Sequence, residues 1–309
     1  MITQERRRPL EENEARNWAS MLHVLFIDGL SMSAELSLDR IAFHGGTNLH
    51  LSWGSPRYSE DLDFLVSRDF AGRIRKIMAK IETRMQRVAA AHDPDLRIEI
   101  RDKTKDRNAL LNYRVAMSRP GIIGQAMVKA EFWQVEADYF KKYNSKFVTQ
   151  KAGVATFDKP LITLTPPMPA ASLEAAFADK IVALSLRPHL KWRDLFDLWW
   201  IDKQIGANVV EHVDAVKHHA SGYSGASLQD GIERFLARDP DDVLSTADPD
   251  LKRWLPKPLW DGLWPDEVRS MVAHARNLAE ELGAILDKTP EGGSLDETTR
   301  EDDGADFCL

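Results

Sequence analysis

Trp18, Met21, Leu22, Leu25 and Phe26 recur at the 3–4 residue spacing of one helix face, which predicts an amphipathic helix over residues 14–30. A second stripe, Ile74, Ile77, Met78, Ile81 and Met85, predicts a helix from about 70 to 91. Between its apolar positions stand Arg73, Arg75, Lys76, Lys80, Arg84 and Arg87. Such a face can meet RNA, but long cations routinely cover exposed helices, and the solvated reading is preferred. The runs around these helices are shorter. Ile41–Phe43 is apolar and ends at Gly45-Gly46, after which residues 47–51 read as the first turns of a short helix, and residues 61–65 alternate acid and apolar. Residues 96–100, 113–117 and 127–135 are short and rich in apolar or β-branched residues, so they are read as strands of a mixed sheet.

The pattern changes near residue 165. The proline-rich stretch over residues 163–170 cannot continue a helix and reads as a linker. Ser172, with Glu174 and Ala175, opens a helix running to about Leu186, residues 191–205 form another, and helical spacing dominates to about Leu286. The expected organisation is an α/β (α+β) domain over residues 1–165, a helical domain over 166–287 and an acidic tail over 288–309 with the composition of a disordered segment.

Composition narrows the function classes. The chain has 309 residues, 43% hydrophobic and 29% charged, as is ordinary for a globular protein with a sizeable core. No run approaches the roughly 18 apolar residues of a membrane span, and the first residues lack the apolar stretch of a secretory signal, so a cytoplasmic protein without a membrane partner is expected. The single cysteine, Cys308, excludes an internal disulfide and a thiolate metal cluster. A net charge of −7 argues at first against nucleic acid. Yet seven acids against Arg300 place −6 of it on residues 290–309, leaving the rest near −1.

Against that background the sharpest chemistry lies in Gly45-Gly46-Thr47 followed by Arg57, Ser59, Asp61 and Asp63. On a strand, residues 61 and 63 project to one face, where two carboxylates can share a divalent cation. Magnesium suits them, because it binds through one or two carboxylates plus substrate phosphates. Glycines let backbone amides approach a triphosphate at a helix start. A plain hairpin with two solvated acids fits either fragment alone; their joint occurrence, with Arg57 and Ser59 before the acids, favours the metal-nucleotide reading. Lys129 and Glu131 share a face of the strand over 127–135, so Glu131 is either a third carboxylate or a surface acid paired with Lys129. In the helical half, Lys180 lies among Phe177, Ile181 and Leu184, and Asp194 and Asp197 share a helix face at i, i+3. Taken alone, Asp194 would cap its helix and Arg193 would pair with Asp197. Trp192, Trp199 and Trp200 read as core. His212, His218 and His219 read as helix-surface residues, since no spacing completes a metal site.

Gly45-Gly46-Thr47-x-Leu49-x-Leu51 with Arg57-x-Ser59-x-Asp61-Leu62-Asp63-Phe64 resembles the AbiEii-type nucleotidyltransferase toxins, a type IV toxin–antitoxin family that includes the MenT-like toxins. Lys129-x-Glu131, Ala178-Asp179-Lys180-Ile181-x-Ala183-Leu184-x-x-Arg187 and Arg193-Asp194-Leu195-Phe196-Asp197-Leu198 are similar to its later motifs, in order, over roughly residues 40–200. His44, Asn48 and Asp179 depart from it, standing where the family often has lysine, a small apolar residue and glutamate.

The resemblance implies a nucleotidyltransferase-fold mixed sheet with flanking helices, a C-terminal helical domain and an active site in the cleft between them. It implies transfer of a nucleoside monophosphate from a nucleoside triphosphate. One or two magnesium ions would sit on Asp61 and Asp63, with Glu131 completing the site, and Gly45, Gly46, Thr47, Arg57 and Ser59 would bind the nucleotide. Lys180 would neutralise developing charge, and Asp194 would position or deprotonate the attacking hydroxyl. Further implied are a cognate antitoxin and an RNA acceptor, the 3′ end of tRNA. Rival readings are nucleotidylation of a protein hydroxyl and a non-catalytic module binding nucleotide or antitoxin.

Overall fold

The computed structural model describes residues 7–150, 166–223 and 227–288. It divides into two compact units, Met1–Ser172 and Leu173–Leu309. The expected acidic tail lies outside the described residues from 289 onward, as do residues 163–165 of the expected linker.

The first unit is built on a seven-stranded mixed sheet. Its strands are β1 (Ile41–His44), β2 (Leu62–Ser67), β3 (Arg97–Asp102), β4 (Leu110–Ser118), β5 (Ala126–Val135), β6 (Ser145–Val148) and β7 (Met168–Ala171), in spatial order β3-β4-β5-β2-β1-β7-β6. β2 runs parallel to β5 and antiparallel to β1, and β4 is antiparallel to both β3 and β5. Alternation sorts the side chains. Phe43, Leu62, Phe64, Val66, Val128, Ala130 and Phe132 are buried on one face, under helices α1 (Glu12–Ser33) and α3 (Arg68–His92). Phe64 stacks on Phe132 at 4.7 Å between centroids, with Phe43 5.2 Å and Phe26 6.3 Å from Phe64. Ring pairs of this kind contribute roughly 0.5–1.5 kcal/mol beyond the area they bury. The helices are tied where they cross, as the Arg84 guanidinium reaches the buried Asp28 carboxylate at 2.6 and 3.1 Å.

The described end of the stretch read as a linker is a strand. Met168–Ala171 forms β7, whose Ala170 is paired with Phe43 and whose Pro169 is paired with Phe147 of β6. Prolines hid it, because a residue without an N–H is a poor interior strand former. Asp61 likewise stands one residue before β2 rather than inside it, and α2 (Gly45–Asn48) begins two residues earlier than expected, continuing as a π-helical turn over Leu49–Trp53.

The second unit is helical: α4 (Leu173–Leu186), α5 (Trp192–Ile205), α6 (Val209–Ala220), α7 (Leu228–Leu236), three short helices α8 (Pro240–Ser245), α9 (Ala247–Leu251) and α10 (Lys257–Leu263), and the long α11 (Asp266–Asp287). Phe177, Ile181, Leu195, Phe196, Leu198 and Met271 are among its buried residues. Trp192 anchors the start of α5, its indole N–H donating to Thr246 Oγ1 at 2.8 Å and its amide to Asp250 at 2.9 Å. No helix among the described residues is long and apolar enough to cross a membrane.

Candidate active site

The face of the sheet opposite the aromatic core carries the acids. Strand register places His44 beside Asp63, Asp63 beside Glu131, and Glu131 beside Asn112, in one row across four strands. Glu131 is buried, and its Oε1 accepts from Asn112 Nδ2 at 2.7 Å. Asp61, less buried, has its carboxylate 3.9 Å from Lys129 Nζ.

The glycine turn closes onto this row. Gly45 has φ +74°, in the region glycine enters at little cost, and a Cβ there would lie 2.5 Å from Asp63 Oδ2. A Cβ on Gly46 would overlap the Arg57 guanidinium and stand 2.9 Å from Ser59 Oγ. Thr47 Oγ1 donates to the Asp61 carbonyl, fixing the segment that leads into β2. From α1, the buried His23 donates through Nε2 to the Glu60 carbonyl at 2.8 Å. Burial, only partly offset by that bond, pushes the His23 imidazole down to about 4, so it stays neutral at ordinary pH. The departure at residue 48 has a structural reason: Asn48 Nδ2 donates to the Ala171 carbonyl at 3.1 Å, joining the turn to the end of β7.

Gly45, Gly46, Thr47, Arg57, Ser59, Asp61, Asp63 and Glu131, separated by up to 86 positions, thus come together in the first unit. Lys180, Asp194 and Asp197 come together in the second. Lys180 Nζ reaches Asp194 Oδ1 at 2.8 Å and Asp197 Oδ2 at 2.9 Å, while Arg187 Nη1 reaches Asp194 Oδ2 at 2.6 Å, all four side chains being buried. Burial alone would raise the Asp194 carboxyl, but Arg187 and Lys180 outweigh it and hold it far below the usual carboxylate range. Asp194 is therefore no helix cap. The α5 N-cap is Lys191, and the Arg193 guanidinium lies over Trp254, 5.4 Å from the ring centroid.

His219 is also not a surface residue. It is buried with Nδ1 2.8 Å from Asp179 Oδ1, so the shorter acid at 179 has a partner from α6. His23, Asn112 and Arg187 carry no site role in the sequence reading. The first two reach their partners through packing and register that one strand or helix does not disclose.

As a metal site the donor set is hard oxygen on adjoining strands, of the kind magnesium takes. No three His, Cys, Asp or Glu side chains among the described residues stand ready as a metal cluster.

Comparison with known proteins gives this arrangement its class, a nucleotidyltransferase. The family model "Nucleotidyl transferase AbiEii toxin, Type IV TA system" matches residues 30–287, so the chain belongs to the AbiEii nucleotidyltransferase toxins of type IV toxin–antitoxin systems. Among solved structures, JHP933 from Helicobacter pylori is 19% identical, with a TM-score of 0.52, covering 90% of this chain and 95% of its own. The nucleotidyltransferase toxin MenT4 from Mycobacterium tuberculosis H37Rv is 15% identical, with a TM-score of 0.50, covering 89% of this chain and 95% of its own. At those identities the likeness speaks for the fold. No curated protein matches the chain.

Proposed function

We propose that this enzyme transfers a nucleoside monophosphate from a nucleoside triphosphate to the 3′-terminal hydroxyl of an RNA, tRNA being the acceptor that the family resemblance favours, and so acts as the toxin opposed by a cognate antitoxin. The observation behind this reading is that Gly45 packs against Asp63, which is paired with Glu131 on the face opposite the aromatic core, with Asp61 just ahead of the same strand. Asp61 and Asp63 would hold one or two magnesium ions, which polarise the transferred phosphoryl group and ease ionisation of the attacking hydroxyl.

The protein's own groups bind and orient. Backbone amides of Gly45, Gly46 and Thr47 take triphosphate oxygens at a turn whose two glycines let Asp63, Arg57 and Ser59 pack close against it. Arg57 and Ser59 stand directly behind that turn, where a guanidinium adds positive charge and a hydroxyl adds a donor. Glu131, paired with Asp63 in strand register and held by Asn112, would complete the metal site. Lys180 is assigned to the charge that develops on the phosphates. Asp194, too weakly basic to remove a proton while Arg187 and Lys180 hold it, is assigned to positioning, and it directs the Lys180 side chain.

Incubating the purified protein with each α-labelled nucleoside triphosphate, magnesium and either total RNA or cell protein tests the reading. Label in RNA of tRNA size supports it. Label in polypeptide, or nucleotide binding without any transfer, overturns it in favour of the corresponding rival.

A further inference from the structure

We propose that the exposed face of β3, β4 and β5 is the track along which a single-stranded acceptor RNA reaches the site, with Arg114 and Lys129 holding the phosphates next to its 3′ end. The inference rests on the RNA-acceptor reading and adds the surface that reading lacks.

Strand register supplies the observation. Arg101 of β3 pairs with Arg114 of β4, and Arg114 pairs with Lys129 of β5, so three cations stand side by side across three strands. All three are exposed. The row ends on Asp61, whose carboxylate lies 3.9 Å from Lys129 Nζ. Like charges directly opposite one another weaken a sheet, so a row of them on a solvent face calls for a ligand that gains from it.

The chemistry of the proposed acceptor supplies the need. A polynucleotide must bring its terminal hydroxyl up to Asp61, Asp63 and Glu131, three carboxylates that repel its phosphates. Cations beside those acids and leading away from them offset that repulsion. With strands about 4.8 Å apart, the row from Arg101 to Asp61 spans about 14 Å, the scale of a short stretch of extended backbone rather than of a duplex face. Arg101 is held by Glu99 at 2.6 and 2.7 Å and so contributes less than Arg114, which makes it the outer, weaker contact. The other basic surface of this unit, on α3, covers the opposite, core side of the sheet and cannot serve the same strand.

The test uses the full-length protein and a short 5′-fluorescent single-stranded RNA with a free 3′ hydroxyl, followed by anisotropy over a sodium chloride series. Arg114→Glu should weaken binding at least about tenfold and make the plot of log affinity against log salt shallower by about 0.7 for each phosphate no longer neutralised. Arg101→Glu should do less, and Arg73→Glu on α3 should match wild type. Arg114→Glu separates opposed like charges, so its melting temperature should be unchanged or raised, which removes misfolding as an explanation. Wild-type affinity and salt slope in Arg114→Glu, with label still entering RNA, would overturn the track alone. Label entering polypeptide instead would overturn the acceptor reading on which it rests.

Discussion

Two clusters of acids sit in this chain, and they are built on opposite terms. In the helical unit two carboxylates, Asp194 and Asp197, meet two cations, Lys180 and Arg187, at 2.6–2.9 Å with every side chain buried. In the α/β unit Asp63 and Glu131 are paired across neighbouring strands with Asp61 just before the first of them, and the ion pair between Lys129 and Asp61 is looser, at 3.9 Å with both partners partly exposed. The first cluster is balanced two against two and depends on burial. The second sets two carboxylates side by side on the face opposite the aromatic core, which a divalent cation and a nucleotide can use. The difference predicts that substitutions in the second cluster remove chemistry and leave the fold, whereas substitutions in the first remove fold along with the roles assigned to Lys180 and Asp194.

The largest effect should come from Asp63→Asn, which keeps the size of the side chain and deletes its charge. Transfer should fall on the order of 10³-fold, with stability changing by less than about 1 kcal/mol, read by labelled-nucleotide transfer and by urea unfolding of the same preparation. Asp194→Ala breaks the comparison from the other side. It strands Arg187 in the interior, leaves Lys180 with Asp197 alone, and should lower stability by roughly 3–5 kcal/mol in the same unfolding experiment. A variant as stable as wild type would mean that the buried network is not what holds this end of the helical unit.

A pH experiment sharpens the contrast. His23 stays neutral when folded, with its imidazole at about 4 rather than 6.5. The unfolded chain therefore takes up a proton that the folded chain refuses. The stability contribution is fully present above pH 6.5 and lost as pH falls towards 4, about 3 kcal/mol in all. His23→Gln, which can still donate to the Glu60 carbonyl, should flatten stability against pH in that window. The depressed Asp194 carboxyl acts lower, holding its contribution above about pH 4 and losing it only at more acid pH. The smallest effect is expected of Gly45→Ala. A left-handed φ and a Cβ 2.5 Å from Asp63 Oδ2 should lower stability by about 1–2 kcal/mol and displace the carboxylate, so transfer should fall further than unfolding alone explains.

Much of this arrangement is legible in the letters, for identifiable reasons. The stripes around Leu22 and Ile77 are long and strictly periodic, and the observed α1 and α3 contain the predicted spans and extend them by a few residues. Asp63 alternates with Leu62 and Phe64, so its face follows from the strand itself. The segment 168–171 is illegible because three prolines nearby argue against a strand, and what decides it is the fit of Ala170 beside Phe43. The contacts of Asn112 with Glu131, His23 with Glu60 and Arg187 with Asp194 are invisible for another reason: each depends on register or packing between elements, which local periodicity does not encode. Local rules misassign Asp194 as a cap because capping considers only its own helix, and the cations that claim it come from α4 and from the turn beyond it.

The proposed chemistry requires above all that Asp61 and Asp63 hold a divalent cation together with the phosphates of a nucleotide. Mn²⁺ titrated into the protein with a nucleoside triphosphate present, and followed by the loss of the free-ion electron paramagnetic resonance signal, reports that binding without relying on turnover. Wild-type protein should take up the ion, and Asp63→Asn should fail to do so at the same concentrations. Equal uptake by the two proteins would contradict the assignment of these acids to the metal.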